Sequence, residues 1–197
     1  GRGPFVTGSP AVCPGSNFPG GGSQSFLPSG LSDNGRAVVG TTTLLSGAGS
    51  FAGYVAGQLD GITQWLSITD VFPGIPGASA GPGSSAVAIG NPVFNPNSNP
   101  TNPSFAVTAL GNGRYQGNEQ AFMFQRTASG QSTFNYLGAL TGDLSNRATA
   151  MVADGSLVIG TSTSGGGVSR AFLWTPGGGM QNLDTWLRGQ GANLAGW

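Results

Sequence analysis

Apolar residues in this chain fall in short runs, each closed by glycine, proline or an acidic or amide residue before glycine. That rhythm predicts short strands joined by tight turns. The clearest stretch is 148–184, ATAMVADGSLVIGTSTSGGGVSRAFLWTPGGGMQNLD. Ala148 to Val152 reads as a first strand, and Asp154-Gly155 as a tight-turn pair. Leu157 to Thr161 reads as a second strand, Arg170 to Thr175 as a third, and Met180 to Leu183 as a fourth.

The same order recurs upstream. Leu31 to Gly35 matches Met151 to Gly155, and Arg36 to Gly40 (RAVVG) matches Ser156 to Gly160 (SLVIG). Gly53-Tyr54-Val55-Ala56 through Trp65 then aligns without a gap onto Ala171 to Leu183. A middle copy is stretched, with Ala86 to Ile89 as its first strand and Phe105 to Leu110 as its second. Ala121 to Phe124 forms its third and Phe134 to Leu137 its fourth. Between the first two lies an insertion at 91–103 carrying four Asn-Pro pairs, where each proline lacks a donor and biases the preceding asparagine toward extended backbone. Its Asn102-Pro103-Ser104 is not a glycosylation acceptor, because the middle residue is proline. Chance produces one such match easily, but not ordered matches across three copies.

The division that follows is a Gly/Pro-rich segment at 1–27 and repeats at 28–68, 69–138 and 139–185. Residues 186–197 then read as the start of a further unit or an exchanged terminal strand. The fold class is all-β, as a β-propeller-like array or another series of antiparallel four-stranded units, about three units plus partial terminal strands. Propellers typically close with four to eight blades. The shortfall leaves three routes: a partial fourth blade from the termini (Pro4 to Thr7 with the tail), a fragment of a longer protein, or completion by neighbouring copies.

The run of an Ala-rich strand, a Gly turn, a Val/Ile-Gly strand, Ala171-Phe172-Leu173-Trp174 and Gly179-Met180 resembles the HAF-family extracellular repeats of bacteria. The copy at 28–68 departs from it, with Gly53-Tyr54 in place of Ala-Phe and Ala56 in place of the tryptophan. The resemblance implies a secreted bacterial protein, extracellular or at the cell surface, with a propeller-like arrangement. It brings no catalytic residues.

Composition narrows the function. Glycine numbers 37 and proline 13 in 197 residues, yet hydrophobic residues make up 38% and charged residues only 7%. Disordered chains carry more charge and fewer apolar groups, so turn-rich strands are the better account. The seven cations are all arginine, balancing six aspartates and Glu119 to zero net charge. No basic excess exists to attract nucleic acid. No apolar run is long enough for a spanning helix, so membrane insertion is not expected. The absence of histidine and lysine excludes a Ser-His-Asp triad, a His-ligated metal site, a P-loop and a Schiff base. The chain starts at Gly1 without methionine, as a processed product would.

Asp33, Asp60, Asp154 and Asp184 fall at turns or strand ends, where aspartate bonds its own backbone. Without an Asp-x-Asp cluster they do not suggest calcium. No catalytic residue, cofactor or metal is therefore expected, and the chain reads as non-enzymatic. Trp65 and Trp174 fit strand periodicity and belong to the core. Trp186, Trp197 and Tyr115 are candidates for interface anchoring or sugar stacking. Cys13, the single cysteine, cannot form an internal disulfide and is a candidate intermolecular thiol. Sheet edges are usually blunted by charge, above all lysine, and this chain has almost none. The expected partner is therefore itself, as a homo-oligomer or polymer forming a surface layer, matrix or filament. The alternatives are an extracellular polysaccharide-binding module and a fragment of a larger surface-exposed protein.

Overall fold

The computed structural model describes residues 25–43, 49–59, 62–67, 78–79, 85–95, 97 and 105–195. They form three antiparallel sheets in chain order. The first comprises β1 (Ser25–Leu31), β2 (Ala37–Thr43), β3 (Gly49–Leu59) and β4 (Ile62–Ser67), paired in sequence. In the second, β5 (Ala78–Ser79), β6 (Ser85–Ile89) and β7 (Val93–Phe94) all pair with β8 (Phe105–Tyr115). Beyond β8 lie β9 (Asn118–Arg126) and β10 (Ser132–Tyr136). The third repeats the meander with β11 (Asp143–Met151), β12 (Val158–Ser164), β13 (Ser169–Thr175) and β14 (Gly179–Asn182). The all-β class is as the strand pattern predicts. Part of the Asn-Pro insertion folds back as β7, which pairs with Phe105 and Ala106.

The ladders of the three sheets share a residue-level register. The pairs β1–β2, β6–β8 and β11–β12 carry the same bulge, after Pro28, Ala86 and Ala148. Those residues lie opposite Gly40, Gly111 and Gly160 respectively. Just beyond each bulge come the pairs Gly30–Val39, Ala88–Leu110 and Ala150–Ile159, then Leu31–Val38, Ile89–Ala109 and Met151–Val158. The turns agree too: Ser32 N–H donates to the Ala37 carbonyl, Gly90 to Thr108 and Val152 to Leu157.

The recurring glycine has a steric cause. On Gly160 a Cβ would sit 2.2 Å from the Arg147 carbonyl oxygen and 2.7 Å from the Phe172 ring, and on Gly111 one would sit 2.3 Å from Phe122. Phe122 and Phe172 lie opposite those glycines and are fully buried. In the first sheet Gly40 lies opposite Ala52, whereas Tyr54 pairs with Val38. The gapless sequence match is therefore two residues out of register here, and β3 is 11 residues long against 7 for β13.

The sheets stack through two apolar layers. Ala37 and Val39 of the first sheet join Ile89, Phe105, Val107, Ala109, Phe122 and Phe124 of the second. The opposite face of the second sheet, with Leu110, Ala121 and Met123, joins Ala148, Val158 and Phe172 of the third. Trp174 is half-buried against that second layer, as expected. The middle sheet is thus apolar on both faces, alternating along β8 and β9 as a doubly covered strand requires.

After β14 the chain turns into α1 (Leu183–Gly189), so residues 186–189 are helix and not an exchanged strand. Asn182 caps it by accepting from Thr185 N–H, and Asp184 and Arg188 pair one turn apart along it. α1 packs on β13 and β14. No helix among the described residues is long and apolar enough to cross a membrane.

Candidate functional site

Two surfaces concentrate chemistry. The first is an open cleft of about 530 Å³ between the hairpin end of the second sheet and the start of the third. Gln116 and Gly117 both hold positive φ, 50° and 85°, as a two-residue type I′ hairpin demands. That turn sets Tyr115 and Asn118 opposite each other at the rim. Tyr115 packs on Tyr136 with ring centroids 4.6 Å apart, and Phe134 meets Tyr136 edge-on at 5.2 Å. The Tyr136 hydroxyl donates to the Arg114 carbonyl at 3.0 Å. Burial, reinforced by neighbouring Tyr115, raises the Tyr136 pKa above its ordinary value, so the phenol stays neutral. Gln116, Asn118, Gln120 and Asn135 add amide groups to the lining.

The far wall carries Asp143 and Leu144. The Asp143 side chain is enclosed by its neighbours and pairs with Arg170. Enclosure opposes its ionisation, but the hydrogen bond from Arg170, the nearby Ser162 hydroxyl and the Arg170 charge outweigh that and lower its pKa. A carboxyl held ionised in this way is a poor proton donor. The cleft therefore offers aromatic faces and amide hydrogen-bonding groups, a lining suited to holding a polar ligand.

The second surface is the pair of sheet faces at the ends of the stack. Each sheet has a leading face turned toward the next sheet and a trailing face turned toward the one before. On the leading face, Val39 and Leu110 occupy equivalent positions and are 0% exposed, each covered by the sheet that follows. Their equivalent in the third sheet, Ile159, is 37% exposed. On the trailing side, Ile89 is 5% exposed in the first interface, and Met151 packs into the second. Their equivalent in the first sheet, Leu31, is 65% exposed.

A polar contact repeats alongside. Thr41 Oγ1 accepts from Ala86 N–H at 3.4 Å. One sheet on, Asn112 accepts from Ala148 N–H at 2.7 Å and donates to the Ala148 carbonyl at 3.1 Å. The third member of that series, Thr161, is exposed.

Of the residues singled out in the sequence, Tyr115 lies in the cleft and Trp186 is half-buried on α1. Trp197, Cys13 and Asp60 lie outside the described residues, as do Pro4 to Thr7 and the side chain of Trp65. Among the turn aspartates, Asp154 accepts from Ser156 N–H at 2.9 Å, as expected. In the first sheet that role falls to Asn34, which accepts from Arg36 N–H, and not to its neighbour Asp33. No cluster of three potential metal ligands occurs among the described residues. Pattern reading missed Asp143 and the amide rim, which meet only through the stacking of two sheets. The Gln116-Gly117 hairpin was the local signal available. No family model, curated protein or solved structure matches the chain.

Proposed function

We propose that this is a non-enzymatic, extracellular structural repeat protein that assembles with copies of itself into a layer, matrix or filament. One observation carries the reading: two interfaces are built alike from equivalent residues, and an unmatched half of the same interface stands at each end of the stack. Near-absence of charge removes the usual protection of β surfaces against association. The resemblance of 148–184 to HAF repeats supports the extracellular location.

Light scattering across a concentration series, with electron microscopy of the concentrated sample, tests the reading. The expected result is a mass that grows with concentration and changes little with salt, because the contact is apolar. A monomer at every concentration ends it.

A second reading, polysaccharide binding, rests on the Tyr115–Tyr136 cleft and its amide rim. On a glycan array the chain is then expected to retain a neutral oligosaccharide. Tyr115→Ala and Tyr136→Ala each weaken retention by about thirtyfold, the effect of losing an aromatic anchor. Binding unchanged in both variants removes the cleft from consideration.

A further inference from the structure

We infer that the two unmatched faces are partners: the third sheet of one copy receives β1 of the next, head to tail. This names the contact within the self-assembly reading and rests on it. Val39 and Ile89 are buried in one layer, and Leu110 is buried in the other, against which Met151 packs. The remaining members of the two series are Ile159 and Leu31, both exposed in the same chain. They have therefore not closed on each other within it. Bringing Leu31 of one copy and Ile159 of another into one layer places together the same two positions that share a layer twice within the chain.

The polar series identifies the joint more closely. Ala86 and Ala148 offer both N–H and carbonyl to the preceding sheet, but their equivalent, Pro28, has no N–H. Its carbonyl remains. Thr161 carries a hydroxyl, which donates as readily as it accepts, and so suits a partner that can only accept. Thr149 and Ala150, both small and exposed, keep the approach of the incoming strand open. Leu173, beside Ile159 on the same face, is already buried, and α1 packs on its strand. The incoming β1 thus lies along β11 and β12 with α1 at its flank. Because two different surfaces meet, the contact is heterologous and generates a ring or an open filament.

Two substitutions test this under reducing conditions, which remove any contribution from Cys13. Ile159→Asp spoils the leading face and Leu31→Asp the trailing one. Both positions are exposed, so unchanged circular dichroism and thermal midpoint are expected to report intact folds. Each variant alone should raise the concentration needed for assembly at least about tenfold. Mixed in equal amounts, the two variants still hold one sound joint between them, and the mixture should stop at a dimer. Val168→Asp, at an exposed apolar residue outside both series, should assemble as the parent chain does.

A parent chain that is monomeric throughout overturns both the self-assembly reading and this joint. A parent chain that assembles overturns the joint alone if either variant assembles equally well, or if the mixture yields no dimer.

Discussion

Gly160 illustrates how a single residue sets the unit. Its position opposite Phe172, with the Arg147 carbonyl on its other side, leaves no volume for a methyl group. Gly160→Ala must push the ring or the strand aside, at a cost of about 2 kcal/mol typical of overpacking. Denaturant titration is expected to show a lower midpoint with unchanged slope. Gly177→Ala, in open space, should stay within about 0.5 kcal/mol of the parent. The glycine was visible in the sequence as the end of VVG and VIG. Its reason was not, because the ring that excludes a side chain comes from the next strand.

At the scale of elements, β11, β12 and β13 are tied by one polar cluster. Asp143 opens β11, Arg170 lies on β13, and Ser162 sits on β12 between them. The folded state lowers the Asp143 pKa. Its contribution to stability is therefore complete above the unfolded aspartate value of about 3.9 and is lost as pH falls through the folded value. Asp154, lowered by its bonds to Ser156, acts with the same sign. The thermal midpoint is expected to hold steady from about pH 5 to 7 and to fall below about pH 4, with a shallower fall in Asp143→Asn. An equal fall in that variant would show that this cluster does not link the strands. The strands themselves were legible in 148–184 because alternation and turn residues are local properties. The cluster was not, since Asp143 and Arg170 are far apart in sequence and meet only across β12.

For the whole molecule, apolar cover is shared between neighbouring sheets, through one layer between the first and second and another between the second and third. The middle sheet is covered on both sides, whereas Leu31 and Ile159 stay exposed on the outer two. The dimer expected from mixing the Leu31→Asp and Ile159→Asp variants belongs to this scale, because it depends on the order of sheets and on no single side chain. By itself the sequence determined the all-β class, the glycine turns and the low charge. Each follows from neighbours along the chain or from composition. Only the tertiary structure decided the two-residue offset at Ala52, the helix after Asn182, the joining of Tyr115 to Tyr136 and Asp143, and which apolar positions stay uncovered. Those depend on which surfaces meet, and strand alternation says that a face is apolar without saying what covers it.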